Sequence, residues 1–504
     1  MSSPAAPEIP RDAWPALWSL VLGFFMILVD STIVSVAIPS LITAFDTDVN
    51  SVLWVTSAYL LAYAVPLLVT GRLGDRLGMK RVYLAGLTVF TLASLWCGLT
   101  STVTGLIAAR VVQGFGASLM TPQTMAVITR IFPRERRGPA MALWGSVAGV
   151  ATLVGPLLGG VLLDWRGWPW IFFVNVPVGV IAFALVMRFV PRLETHSHSF
   201  DLIGVGLSAV GLFCFVFGLQ EAETFHWGTI WGPVSVPLLL GLGLVLLGVF
   251  VWWQSRIRTE PLVPLGLFRD RNFSVSNVAI SAVGFTITSM IVPFMLFLQV
   301  VRGMTPTQAA LVTAPQSIAG AVLAPLAGRL VDRVHPRTLA GIGIAGMAAA
   351  LAVVSRLMTP STPLWQIMTA LAVAGCFSSF VWGPLSTSAN RNLPPQLAGA
   401  GAGVYNTTRQ MGSVLGSAAI AALLANRFAA HLTGAAGAGG AGRGGPLPPP
   451  VAEKFAQALS EAAVLPPAVL MLGWLAVLWY EAPHHLRRPV PVPDGTVGGP
   501  PAGR

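Results

Sequence analysis

The chain has 504 residues, of which 54% are hydrophobic and only 10% charged, with a formal net charge of +11. Soluble domains carry about 25% charged residues, so a water-soluble globular fold is excluded. The basic excess lies mainly in arginines of short segments between apolar runs, where the positive-inside rule acts, and this makes it a signal of topology rather than of a nucleic-acid surface.

The polar, proline-rich start MSSPAAPEIPRDAW is expected to be a cytoplasmic tail over 1–14, with no small-residue cleavage site after the first apolar run. Fourteen apolar spans follow, each long enough to cross a hydrocarbon core of roughly 30 Å as a helix. They fall at about 15–39, 52–70, 82–100, 103–126, 139–162, 170–190, 201–220, 233–253, 273–297, 308–327, 338–356, 364–385, 401–425 and 462–480. The fold class expected is an all-α polytopic membrane protein. Under this count the loops holding Arg72, Arg76 and Arg81, Arg130 to Arg137, Arg188 to Arg192, Arg256 to Arg271 and Arg329 to Arg337 share one side. That side, with both termini, is expected to be cytoplasmic, including the tail over 481–504. The opposite side carries short loops and one long segment, about 426–461, whose GAAGAGGAGRGGPLPPP composition predicts disorder. Cys97, Cys214 and Cys376 all sit in spans and read as small core residues. There is no zinc-site spacing and no GxxxxGKS/T loop to bind a nucleotide phosphate.

GRLGDRLGMKR from Gly71 is echoed by GRLVDRVHPRT from Gly328, and Pro133, Gly138 and Gly155 are echoed by Pro394, Gly399 and Gly416. The chain therefore divides into an N-terminal six-helix bundle (15–200), two inserted helices with a cytoplasmic linker (201–272) and a C-terminal six-helix bundle (273–480). Parallel repeats of this kind are a mark of secondary transporters, whose substrate site lies at the repeat interface.

Asp30 stands alone deep inside a span, in MILVDSTIVSVAIP. A charged carboxylate there costs roughly 2.5 to 3.5 kcal/mol on insertion scales, so it needs a cationic partner or a proton. An acid that loads and unloads a proton at that position could couple transport to a proton gradient. Arg110 in span 4 is the natural partner, because at 1.5 Å per residue both groups lie roughly 10 to 14 Å from the same membrane face. Gln113, three residues on, shares the Arg110 face of the helix.

GRLGDRLGMKR, LIAARVVQGFGAS (106–118), LVGPLLGG (153–160), LVDSTIVSVAIP, FFVNVPVG and LGLFRDRNFS together resemble, in order and position, the motifs of the major facilitator superfamily. Within it they resemble the fourteen-span drug:proton antiporter branch of multidrug efflux type. Ser35, Met79 and Ala151 depart from that branch's usual residues. The resemblance implies a transporter with no enzymatic activity, fourteen helices as two six-helix bundles plus two inserted helices, and an Arg110 that takes part in proton transfer. It also implies that Gly71, Arg72, Asp75, Arg76, Gly78, Lys80 and Arg81, with Asp332 and Arg333 in the echo, form a gating loop between helix ends. Gly145, Gly149, Gly155, Pro156, Gly159 and Gly160 put small residues on span 5, where close packing on the second half would seal one path.

Asn406, Arg409 and Gln410 in span 13, with Asn175, Gln299 and Gln316, are the cavity candidates, and Trp54, Tyr59, Phe285, Phe294 and Trp382 offer aromatic surface. The expectation is an inner-membrane, proton-coupled exporter of hydrophobic or cationic small molecules, monomeric, with protons as coupling ion and no cofactor, metal or nucleic-acid partner. The alternatives are an exporter of an endogenous metabolite or lipid, and a membrane sensor without flux.

Overall fold

In a computed structural model the described residues are 13–132, 137–193, 201–222, 224–257, 261–331, 334–390, 393, 398–432 and 448–481. Asp332 and Arg333 lie outside them. Seventeen α-helices account for most of these residues, and the one sheet among them is a two-stranded hairpin, Thr229–Trp231 with Val234–Ser235. Twelve helical segments among the described residues are long and apolar enough to cross a membrane. Two expected spans fall outside that count. Span 2 is split into α2 (Val49–Ala64) and α3 (Leu67–Leu77), because Pro66 lacks the donor that would continue the ladder. Span 5 lies within α6 (Arg137–Arg166), a helix of 30 residues.

The N-terminal helices are α1 (Ala13–Phe45), α2, α3, α4 (Met79–Leu99), α5 (Val103–Ile131), α6, the short α7 (Trp170–Phe173) and α8 (Asn175–Phe189). Helix α1 packs on α6, α8 and α5, while α5 packs on α4 and α2. Then come α9 (Leu202–Gln220) and α10 (Val236–Arg256), which pair with each other, α9 also reaching α15 (Ala398–Leu432). Only 11% of the apolar window of α10 is buried, against 72% for α1, so α10 is left to face lipid. The later helices are α11 (Arg271–Leu296), continued by one π-helical turn at Phe297–Val301, then α12 (Pro306–Val331), α13 (Pro336–Leu357), α14 (Leu364–Asn390), α15, α16 (Pro449–Ala462) and α17 (Leu465–Val477). Among these, α11 packs on α15 and α17, and α14 on α12 and α13. The two sets meet through α6 on α12, α2 on α15 and α1 on α11.

Two sequence expectations are corrected. The 71–81 signature is not an extended loop: α3 and α4 run into one another, and the turn is made by Gly78 alone, whose φ of +96° is costly for any side chain with a Cβ. The long segment at 426–461 is not wholly disordered either. Helix α15 continues to Leu432, and PPVAEKFAQALSEA forms α16, whose Ala452, Phe455, Ala456, Leu459 and Ala462 are buried. The periodic alanines and leucine of that stretch bury one face, which the neighbouring glycine-rich run cannot do; residues 433–447 lie outside the described ones. Helix α16 is fastened by Phe455 stacking on Phe428, ring centroids 4.8 Å apart, and by Glu461, which accepts from His431 Nε2 at 3.1 Å and pairs with Arg427 Nη1 at 3.2 Å.

Removing the Phe455 ring would leave a cavity of the kind that costs about 3 to 5 kcal/mol in a packed core. Phe455→Ala should lower the thermal unfolding midpoint in detergent, read by scanning fluorimetry, while Glu453→Ala at an exposed position of the same helix should leave it unchanged.

Candidate functional site

Asp30 comes from the middle of α1, Arg110 and Gln113 from α5, Ser94 from α4 and Asn175 from the first turn of α8. Asp30, Arg110, Gln113 and Ser94 are fully buried, and Asn175 nearly so. The helices that carry them pack on one another, so side chains distant in sequence converge at one depth.

Arg110 Nη1 lies 2.5 Å from Asp30 Oδ2 and donates also to Gln113 Oε1 at 2.7 Å. Its Nε donates to the Val55 carbonyl at 3.2 Å. The other carboxylate oxygen, Asp30 Oδ1, accepts from Gln113 Nε2 at 2.9 Å and from Asn175 Nδ2 at 2.8 Å. Asn175 donates in addition to Ser94 Oγ at 3.0 Å, and the Ser94 hydroxyl donates in turn to the Phe172 carbonyl, also at 3.0 Å. The guanidinium lies over the Tyr59 ring, 3.9 Å from its centroid, where the ring face attracts the cation. Arg110 Nη2 and the Tyr59 hydroxyl have no hydrogen-bond partner among the described residues. Every group touching Asp30 is thus a donor, and the shell is matched to an ionised carboxylate.

A model of the Major Facilitator Superfamily matches residues 20–417. The chain belongs to that superfamily. An uncharacterized MFS-type transporter of Mycobacterium tuberculosis is 48% identical over 493 residues, spanning 96% of this chain and 84% of its own length. The tetracenomycin C resistance and export protein of Streptomyces glaucescens is 33% identical over 420 residues, 82% of this chain and 76% of its own. Among solved structures, a bacterial homolog of the human lysosomal transporter Spinster, inward-facing and unoccupied, superposes with a TM-score of 0.63 over 93% of this chain and 96% of its own at 17% identity, which speaks to the fold alone. The all-helical fold is that of the major facilitator superfamily, and the protein is a multi-pass membrane transporter.

In this facilitator fold the remaining sequence candidates separate. Gly155 and Gly159 of α6 lie in this structure against Thr32 and Ile33 of α1, within a turn of Asp30. At Gly159 an added Cβ would stand 2.6 Å from Ile33 Cγ1. Gly160 meets the second half: a Cβ there would stand 2.7 Å from the Thr307 Cα of α12. Pro156 lies within α6, one turn before Gly160; the surroundings of Gly145 and Gly149 lie outside those described. Asp164, at the far end of α6, accepts from the Thr307 backbone N–H at 3.1 Å.

Gln299 is not a free cavity residue, since its Nε2 donates to the Val36 carbonyl of α1 at 2.9 Å. Ser57 and Ser417 share a hydrogen bond of 2.6 Å between α2 and α15. These bridges join the two halves. Lys80 is also spoken for: its Nζ donates to the Met187 and Val190 carbonyls, both at 2.7 Å, and so caps the end of α8 within its own half. Gly71 lies in α3 and Arg76 and Arg81 are exposed, while the side chains of Arg72 and Asp75 are outside those described. Gln410 is buried, and Asn406, Arg409 and Gln316 are partly exposed.

Sequence reasoning missed Ser94, which is one of many serines in apolar runs and carried no signal. It took Tyr59 for apolar drug surface, whereas the ring faces Arg110. It placed Glu221 at a span end; there Glu221 is buried and accepts from Trp54 Nε1 and from Asn50 Nδ2, tying α9 to α2. Asp201 is buried as well, as the N-cap of α9, accepting from the Gly204 amide at 2.8 Å and from Trp253 Nε1 at 2.8 Å.

Deleting one partner of a buried ion pair strands the other charge and costs about 3 to 5 kcal/mol. Arg110→Ala should therefore lower the thermal midpoint sharply, and adding Asp30→Asn to it should restore a large part of the loss. A double variant no more stable than Arg110→Ala would mean that packing, not charge, dominates the site.

Proposed function

We propose that this transporter exports hydrophobic small molecules in exchange for protons by alternating access, with Asp30 as the proton carrier and Arg110 as its partner. The observation that carries the reading is the donor-only shell around a fully buried carboxylate in the first helix. When Asp30 takes up a proton it loses its charge and one acceptor site, so Arg110 is left as an uncompensated cation in an apolar interior and Gln113 and Asn175 compete for fewer lone pairs. The shell must then rearrange, and the helices that carry it must move.

The route from that event to the interface between the halves is short. Helix α6 lies on α1 through Gly155 and Gly159 next to Asp30, and on α12 through Gly160. A shift of α1 is transmitted to a contact between the halves that has no side chain to absorb it. The contacts at Asp164–Thr307 and Gln299–Val36 are consistent with a state closed at the end remote from the termini. A relative named as a tetracenomycin C resistance and export protein supports the direction of transport, outward. Direct recognition of a cationic cargo by Asp30 is not favoured, because a cation would have to displace Arg110 from a sealed site.

In the same reading α2 with α3, and α6, also cross the bilayer. Added to the twelve segments that meet length and hydropathy limits, they make fourteen spans, with both termini on the cytoplasmic face of the inner membrane.

The reading is tested in proteoliposomes with an imposed pH gradient. Wild type should export a panel of apolar drugs, and Asp30→Asn should lose gradient-driven flux; undiminished flux in that variant would overturn proton coupling through Asp30. Reporter fusions after residues 132 and 193 should both report the cytoplasmic side, whereas opposite sides would exclude fourteen spans.

A further inference from the structure

Two polar groups in the cage around Asp30 are left unused. Arg110 spends Nη1 on Asp30 and Gln113 and Nε on the Val55 carbonyl, but its Nη2 has no hydrogen-bond partner among the described residues. Neither has the hydroxyl of Tyr59, although that side chain is fully buried. Buried polar atoms are nearly always bonded, so a donor and an acceptor left over on two residues in contact need an explanation. The contact is close: the guanidinium carbon stands 3.9 Å from the Tyr59 ring centroid. Thr56 Oγ1, one turn earlier on α2, is also unpartnered among the described residues, but it is the Tyr59 ring that the guanidinium lies against.

The other protonation state of Asp30 supplies a use for both. While Asp30 is ionised the pair is neutral, and the ring face adds a cation–π contact that does not depend on the acid. Once Asp30 is protonated, Arg110 keeps Gln113 Oε1 and the Val55 carbonyl but has lost its counter-charge. The surroundings offer no second carboxylate. The titratable groups beside the pair are Tyr59 on α2 and Cys97 on α4, whose Sγ lies 3.6 Å from Gln113 Oε1. Tyr63, one turn on from Tyr59, already shares a hydrogen bond of 2.8 Å with Thr121. Helices α6, α8, α11 and α12 also pack on α1, and they carry acids and bases only in their terminal turns. An uncharged acceptor is what remains, and the phenol oxygen of Tyr59 has lone pairs to spare.

We propose that Tyr59 is a positioning residue for proton exchange, a role that rests on Asp30 being the proton carrier: its ring holds Arg110 while Asp30 is ionised, and its hydroxyl becomes the acceptor for the guanidinium when Asp30 takes up a proton. A slide of the guanidinium along the ring brings Nη2 to the phenol oxygen, so the arginine changes partner without leaving the cage. The hydroxyl thus stabilises the protonated state and is idle in the ionised one. It tightens proton binding at Asp30, and its removal loosens it.

Two measurements on the purified full-length chain test this. In phosphatidylcholine bilayers without a gradient, infrared difference spectroscopy follows the carbonyl stretch of protonated Asp30 against pH, the band being assigned by its loss in Asp30→Asn. Tyr59→Phe keeps the ring and removes the hydroxyl, and it should move the titration midpoint toward acid by about one pH unit, a tenfold loss of proton affinity. Tyr59→Leu, which removes the ring as well, should move it at least as far. A band that titrates in wild type with the same midpoint in Tyr59→Phe would overturn the role of Tyr59 and leave the proton carrier standing, whereas no titrating band in wild type would overturn both. The second measurement is a double-mutant cycle on the thermal midpoint in detergent, which needs no titration because Asp30→Asn imitates the protonated acid. Tyr59→Phe should leave the midpoint of the otherwise wild-type chain unchanged or higher at alkaline pH, since it deletes an unbonded hydroxyl, and should lower it in the Asp30→Asn background. Equal effects in the two backgrounds would mean that Tyr59 only packs, and would overturn the proposal.

Discussion

A carboxylate and a guanidinium cannot be left in a hydrocarbon interior without each other, and the N-terminal half is assembled around meeting that constraint. Four helices supply the groups: α1 the acid, α5 the arginine and glutamine, α8 the asparagine and α4 the serine that holds the asparagine. The ring of Tyr59 and the carbonyl of Val55 on α2 complete the cage. Because the shell donates to both carboxylate oxygens, it fits one protonation state of Asp30 and not the other. The proposed role of Asp30 as proton carrier rests on that mismatch.

The glycines of α6 give the same constraint mechanical reach. Thr32 and Ile33 lie where Cβ atoms at Gly155 and Gly159 would be, so α6 and α1 touch along their backbones within a turn of Asp30. On the neighbouring face, Gly160 admits the start of α12. Small residues in membrane helices allow such approaches, and dispersion rather than hydrophobic expulsion holds them there. The facilitator fold thus places the helix that carries Asp30 and the contact between the halves on two faces of α6.

Much of this was legible from residues alone, for specific reasons. Asp30 was conspicuous because a single acid in an apolar run has a large and position-specific cost. Arg110 followed from equal depth, and Gln113 from helical spacing. Asn175 appeared only as a lesser candidate, and Ser94 not at all, because an amide or hydroxyl in a span costs much less than a charge and leaves a weaker mark. The break at Pro66 was hidden by reading 52–70 as one span, and the single-residue turn at Gly78 by reading 71–81 as one loop; helix on both sides of a glycine looks the same in a pattern of mixed charge. Helix α16 was masked by its glycine-rich neighbour when the two were read as one low-complexity segment.

Sequence by itself determined that the chain is a membrane protein of repeated helices, which side of each span carries arginine, and which acid is out of place. These are properties of single residues and local runs, priced by transfer from water to hydrocarbon. Tertiary structure alone decided which face of α6 meets α1 and which meets α12, that Gln299 and Lys80 serve as anchors, and that Tyr59 faces Arg110. Those facts depend on where helices far apart in the chain come to lie, and no local pattern encodes the rotation of one helix against another.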